Sequence, residues 1–556
     1  MRHTTSPKPA LLLTAILLAL PSPARAEELP DAVEIGHPET AGPVDDVTDE
    51  QRREIQERLK QSVATLKALG LLSEPPPSLL AVHATLDWPV RAPTIHDPAI
   101  QRLFQFVDHN PAYPNALLDY NCGNRTYDNT GGYNHQGVDL GIWPFQWLRT
   151  DEKSVEVIAA ADGTILGKDD GHPDHSCVQD PSLQWNAVYI QHPDGSIAWY
   201  GHMQNGSLTP KAPGQTVARG EYLGLMGSAG NSSVPHLHLE LYDSAGFLND
   251  PYQGACNNFN GTSWWSNQRP YYDSGLNRVA AGFANPVSFP SCPEHEIPHE
   301  AADFNPGDRA VFIAYYRDQL AGQTATNVVR RPDGTVFSTW TDNPSASFFD
   351  ATWWTHVFTT FAAAGPLGIW RYDVTYQGTT ASRQFRLTAA TGSGRVPGEF
   401  IDEVPVKVDK SGPNLSLTWA ASCVPTDTDY EVYEGTIGSW TSHAPTLCST
   451  GGSTSTTIAP SSGSSYYLVV PSDPVGNREG SYGWNHQYVE RPIGLSSCRT
   501  QVIGGSCPRC GDNKIESPEV CDLGLLGGQT CQTQGYSGGF LACSTDCHSF
   551  DTQGCF

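Results

Sequence analysis

Pro235-His236-Leu237-His238-Leu239-Glu240 alternates polar and apolar side chains, the pattern of a β-strand with one wet and one packed face. Residues i and i+2 of a strand share a face, so His236 and His238 project into one cleft while Leu237 and Leu239 pack behind them. Pro235 suits the start of such a strand. Upstream, Tyr200-Gly201-His202 supplies a third imidazole, and His135-Gln-Gly-Val-Asp139 a fourth, with a carboxylate four residues on. A catalytic zinc takes three N or O ligands and keeps one position open for water. Four imidazoles and one carboxylate exceed that need, which leaves surplus histidines for acid–base work. Taken singly, each of these pieces also occurs as ordinary polar packing. Their joint order and a frame of glycines, including Gly137, Gly141, Gly201, Gly224, Gly227 and Gly230, make the set informative.

These segments, together with Val157-Ile-Ala-Ala-Ala-Asp-Gly-Thr-Ile165, Gly220-Glu-Tyr-Leu-Gly224 and Gly227-Ser-Ala-Gly-Asn231, resemble the lysostaphin-like and beta-lytic zinc endopeptidases of the LytM-type fold. The resemblance covers Trp88 to Asp243. It implies an antiparallel β-sheet peptidase domain in which His135, Asp139 and His238 bind Zn2+ and His202 and His236 flank the attacking water as the catalytic pair. It further implies hydrolysis of peptide bonds next to glycine in peptidoglycan cross-links, with peptidoglycan peptides as partners. Some relatives have lost ligands and act as non-enzymatic activators; the intact set of five here favours catalysis. Two other readings stay open: an endopeptidase acting on glycine-rich proteins, and a non-catalytic cell-surface binding protein.

The rest of the chain sets the context. Its 556 residues exceed one hydrophobic core, and a prior of roughly 150 residues per domain gives several domains. Arg2, His3 and Lys8, an apolar run from Ala10 to Leu20, and Ala24-Arg25-Ala26 read as a signal peptide over 1–26 with a mature start near Glu27. No apolar run is long enough for a membrane span. The expected location is secreted or extracellular, with retention at the cell surface or in the periplasm left open; oligomeric state is not legible. Fourteen cysteines behind a secretory signal read as disulfides. A net charge of −26 excludes nucleic-acid binding, which needs basic surface to neutralise phosphate.

The expected fold class is mainly β. Residues 27–80 carry a polar linker and a helix over Thr48–Leu72, with Thr48 and Gln51 as a capping box and Ile55, Leu59, Val63, Leu66 and Leu69 on one face. That helix is either an inhibitory pro-segment or a helix packed on the next domain. The zinc peptidase domain is expected over 81–295. An Ig-like β-sandwich follows over 300–390, a fibronectin-III-like sandwich over 398–496, and a cysteine-rich module over 498–556. Cysteine arithmetic suggests Cys122 with Cys177, Cys423 with Cys448, Cys498 with Cys507, and six paired cysteines in the tail.

Four further features compete with the main site. His295-Glu-Ile-Pro-His299 has the letters of a helical H-E-x-x-H zinc motif, but Pro298 falls inside the turn that motif requires, so it reads as an interdomain strap. His172-Pro-Asp-His175 reads as a surface insertion. Trp264-Trp265 and Tyr271-Tyr272 are expected to pack rather than to form a sugar platform. Asp512, Glu516, Glu519 and Asp522 lack EF-hand spacing and read as a solvated acidic surface.

Overall fold

The alternating stretch ending at Glu240 forms the strand Leu237–Tyr242. In the computed structural model it is the third strand of an eight-stranded sheet. The order runs Gln101–Leu103, Val138–Ile142, Leu237–Tyr242, Ile197–Gly201, Ala187–Gln191, Gly163–Asp169, Thr216–Val217, with Leu248–Asn249 paired off the central strand. Every pairing in it is antiparallel. The structure describes residues 33–36, 47–75, 83–176, 180–287, 295–345, 347–389, 391–398, 404–461, 463–485, 489–504, 509–512, 514–515, 519–522, 524–544 and 547–556. The expected signal peptide, Cys177, Cys292, Cys507 and Glu516 lie outside these residues.

The sheet's two faces follow from the period of two. Leu237, Leu239 and Leu241 enter a core with Val138, Leu140, Ile190 and Tyr200, closed by Val90, Val157 and Leu223 of a three-stranded sheet. Burying each such leucine contributes about 1.5–3 kcal/mol. Trp264 and Trp265, both buried, belong to the same core, so they pack as expected. The opposite face carries His238, Glu240 and Tyr242, and part of it is covered by the helix Asp49–Ala68. Thr48 and Gln51 form the reciprocal capping box that starts this helix. Its apolar stripe, Ile55, Leu59 and Leu66, is buried against Leu166, Ala187, Tyr189 and Trp199. Among the described residues, no helix is long and apolar enough to cross a membrane.

The first sandwich reaches back before residue 300. Gly275–Gly282 pairs with Ala310–Leu320, which pairs with Phe348–Phe358, and the backbone of Val33–Gly36 adds antiparallel to that last strand. Strand Gly275–Gly282 therefore belongs to the sandwich and not to the peptidase sheet; its apolar residues look alike in either setting. The facing sheet orders Asp303–Phe304, Thr379–Leu387, Gly368–Tyr376, Ala325–Arg330, Val336–Asp342. Buried ion pairs join the sandwich to the peptidase domain: Arg102 Nε to Asp350 at 2.9 Å and Arg125 Nη2 to Asp318 at 3.1 Å.

A second pair of sheets encloses Leu417, Trp419, Tyr430, Val432 and Val469. Cys448 bonds to Cys498 across this unit, and Cys122 bonds to Cys256 in the peptidase domain. Both replace the expected pairings of Cys423 with Cys448, Cys498 with Cys507, and Cys122 with Cys177. Chain separation misled there, because the spans of 134 and 50 residues are closed by the sheets and not by local loops. The six tail cysteines pair among themselves, as Cys510–Cys547, Cys521–Cys543 and Cys531–Cys555. Asp522 departs from the expected solvated surface: it is buried and accepts from the Gly511 N–H.

Candidate metal centre and active site

Strand register assembles the site. Asp139 on Val138–Ile142 is the Cα partner of His238 on one side, and Gly201 on Ile197–Gly201 is its partner on the other. His202 follows Gly201 directly, in a left-handed conformation (φ 61°) that turns the chain out of the sheet. His236 precedes His238 by two residues and is held by a bridge to Gly227. His135 lies one turn of chain before Asp139, its ring stacked on Tyr127 at 4.4 Å. All five are buried.

Second partners fix which ring nitrogen faces the centre. His135 Nδ1 lies 2.6 Å from the Phe106 carbonyl, which sends Nε2 inward. His238 is oriented the other way: Nε2 lies 3.0 Å from Glu240 Oε1, and Nδ1 faces Asp139 Oδ1 at 2.8 Å. His135 Nε2 is 3.2 Å from Asp139 Oδ2 and 3.4 Å from His238 Nδ1. Metal–ligand bonds of about 2.0–2.1 Å in a tetrahedron put neighbouring ligand atoms ~3.3 Å apart. His135 Nε2 stands near that spacing from Asp139 Oδ2 and from His238 Nδ1, and Asp139 Oδ1 stands closer to His238 Nδ1, so the three side chains form a group that could hold a metal ion. Close approach of the backbone permits this: a Cβ on Gly137 would stand 2.4 Å from His238 Nε2.

Beside this triad, His202 and His236 form a pair with ring centroids 4.5 Å apart. Their Nδ1 atoms lie 2.7 Å from the Ala229 carbonyl and 2.9 Å from the Val234 carbonyl, and His236 Nε2 is 3.6 Å from Asp139 Oδ1. Trp185 meets His202 edge-on at 5.5 Å and lies 5.9 Å from His238. The described residues offer two overlapping ligand sets that share His238: one with His135 and Asp139, one with His202 and His236. A third grouping, Cys510, Asp522 and Cys547, is committed to the Cys510–Cys547 disulfide.

Residues 133–251 match peptidase family M23. The chain carries an M23 peptidase domain. Among solved structures, the catalytic domain of the antimicrobial peptidase lysostaphin from Staphylococcus simulans is 24% identical over 22% of this chain and 78% of that one, with a TM-score of 0.16. The catalytic domain of a prophage-encoded M23 protein from Enterococcus faecalis is 23% identical, over 25% and 92%, with a TM-score of 0.16. A zinc-containing peptidase from Vibrio cholerae is 20% identical, over 30% and 39%, with a TM-score of 0.19. In the M23 domain of this chain, all five residues expected from sequence come together.

The competing motifs do not join it. Glu296 is buried and accepts from the Trp147 and Leu148 N–H groups, capping the short helix Gln146–Asp151. His299 is not helical (φ 50°), and its Nδ1 lies 2.6 Å from the Asn285 carbonyl. His295 and His175 both face Asp151, at 3.4 and 3.7 Å, and His175 stacks on Trp147 at 4.3 Å. Two contributors escaped the sequence reading. Glu240 shares the face of His238 at i+2, so the strand alternation carried its signal. Arg52, buried against Glu240, comes from the N-terminal helix and has no local signal. Burial opposes ionisation of Glu240, but the Arg52 charge and the His238 hydrogen bond outweigh it and hold the carboxyl at about 2.

Proposed function

We propose that the chain is a secreted zinc endopeptidase that hydrolyses peptide bonds next to glycine in peptidoglycan cross-links. The observation that carries this reading is the convergence of His135 Nε2, the Asp139 carboxylate and His238 Nδ1 at 2.8–3.4 Å from one another, with two further imidazoles beside them. In this reading His135, Asp139 and His238 are the ligands. When bound, zinc supplies Lewis acidity that polarises the scissile carbonyl and lowers the pKa of a coordinated water. His202 and His236 move the proton: with Nδ1 of each tied to a carbonyl, Nε2 accepts from the attacking water and returns the proton to the leaving amine. Trp185 packs edge-on against the His202 ring. The disulfides support an oxidising, extracellular setting, and the M23 domain supports the wall peptide as substrate.

The test is metal analysis and cell-wall digestion with the purified chain and its His238→Ala variant. Wild type should hold one zinc and release new amino termini from cross-linked wall, and His238→Ala should do neither. Wild type without stoichiometric zinc and without released amines would overturn the reading. Faster cleavage of a soluble glycine-rich protein than of wall would keep the chemistry and move the substrate.

A further inference from the structure

On the strand Leu237–Tyr242, every second side chain shares a face, so His238, Glu240 and Tyr242 stand in a row. Glu240 is fully buried. One carboxylate oxygen lies 3.0 Å from His238 Nε2; the other accepts from Tyr242 Oη at 2.6 Å and from Arg52 Nη1. Arg52 Nη1 also donates to Tyr242 Oη at 3.1 Å. Arg52 is 5% exposed, and its guanidinium lies 5.9 Å from the ring centres of both Trp199 and Tyr133. A buried carboxylate is costly without an opposite charge, and Arg52 supplies one.

The geometry points to Arg52 as a positioning residue for the ligand His238, acting through Glu240, so that the helix Asp49–Ala68 is a permanent part of the catalytic unit. This rests on the zinc reading of the site. Arg52 holds the carboxylate in place, the carboxylate holds Nε2 of His238, and Nδ1 is thereby aimed at the metal position beside Asp139. Such outer partners set ligand orientation, and their loss costs roughly 10–100-fold in metal affinity.

The docking of the helix fits a fixed element and not a removable cover. Ser62 Oγ donates to the Leu166 carbonyl at 2.6 Å, Gln51 Nε2 to the Leu183 carbonyl at 3.1 Å, and Arg58 makes two 2.6 Å bonds to Asp169. Stripping it off would expose Tyr189, Trp199 and Tyr242 and leave the Glu240 carboxylate without its cation.

The test uses the full chain. Zinc affinity is measured by chelator competition, and melting is followed on the zinc-free protein, for Arg52→Met, Arg52→Lys and Arg58→Met. Arg52→Met should weaken zinc roughly 10–100-fold. Arg52→Lys should lie between it and wild type, since only Nη1 is engaged and a single charge restores part of the contact. Arg58→Met removes a cation from the same helix but not from the row, so it should leave zinc affinity within about two-fold of wild type. In a Glu240→Gln background, Arg52→Met should add no more than about two-fold, because its route is already cut. Wild-type zinc affinity in Arg52→Met, or an equal zinc loss in Arg58→Met, would overturn the proposal while leaving the zinc site intact. If Arg52→Met does not fold, unchanged affinity in Arg52→Lys together with full additivity of Arg52→Lys and Glu240→Gln overturns it instead. Wild type without zinc would overturn both readings at once.

Discussion

His202 and His236 face each other at 4.5 Å, and each has Nδ1 within hydrogen-bond reach of a main-chain carbonyl. That arrangement fixes the tautomer and presents Nε2 to the reaction, which is what a proton-transfer pair needs and what a ligand pair also has. The two overlapping ligand sets therefore make different predictions. If the carboxylate set holds the metal, His202→Ala and His236→Ala keep one zinc per chain while kcat falls by roughly 10²–10⁴. Metal analysis and steady-state kinetics on the same preparations check this. Zinc lost from either variant as completely as from His238→Ala would make that histidine a ligand.

Gly137 gives a second handle on the same centre without altering any of the proposed ligands. Its missing side chain is what lets the backbone run under the His238 ring, since a Cβ there would lie 2.4 Å from Nε2 and 2.5 Å from Cε1. Gly137→Ala must displace the ring or the strand, a kind of overpacking that costs about 1–3 kcal/mol. Zinc affinity should drop at least as far as in Arg52→Met, because the proposed ligand His238 itself moves. Chelator competition is the measurement; an affinity equal to wild type would mean that the ring yields without losing its aim.

The peptidase sheet and the first sandwich should melt together. Arg102, 2% exposed, reaches from the edge strand Gln101–Leu103 to Asp350 on the sandwich, and Phe104 lies beneath its guanidinium at 4.2 Å. Removing one partner of a buried pair strands the other charge, at a cost of about 3–5 kcal/mol. Asp350→Ala should therefore lower the melting temperature of the wild-type transition, or split it if the sandwich separates. Calorimetry distinguishes these outcomes from no change, which would show the contact to be dispensable.

How far the sequence could be read depended on whether the signal was local. His236 and His238 sit two apart on one strand, and His135 and Asp139 four apart in one loop and strand, so spacing alone exposed them. The alternation that placed Leu237 and Leu239 in the core was visible for the same reason. Register was not: nothing in either strand says that His238 lies opposite Asp139. Arg52 was hidden because its partner is remote in sequence and its own neighbourhood is an ordinary charged helix. Gly275–Gly282 falls inside the expected peptidase bounds of 81–295 yet pairs with Ala310–Leu320, because an apolar strand does not say which sheet it will join. The pairing of Cys122 with Cys256 went unread because a fold, not a loop, closes it.

The second sandwich carries a pH-dependent element of its own. Glu431 and Glu479 are both buried and meet at Tyr433, whose hydroxyl lies 3.0 Å from one and 2.7 Å from the other. Burial, then the adjacent Glu479 carboxylate, push Glu431 up to about 8, even with the Arg499 guanidinium beside it, while Glu479 is held down. The pair thus shares one proton. Between the ordinary glutamate value of 4.5 and about 8, the folded unit keeps a proton on Glu431 that the unfolded chain has released. Stability from this group is therefore full below that window and declines as pH rises through it. Hydrogen exchange in the strand Asp429–Thr436, corrected for the intrinsic pH dependence of exchange, should show protection falling from pH 5 to pH 9. Glu431→Gln, which keeps the hydrogen-bonding shape without a titrating proton, should flatten that fall. Equal slopes in the two proteins would show that Glu431 is ionised in the fold across the whole range, with Arg499 outweighing both burial and Glu479.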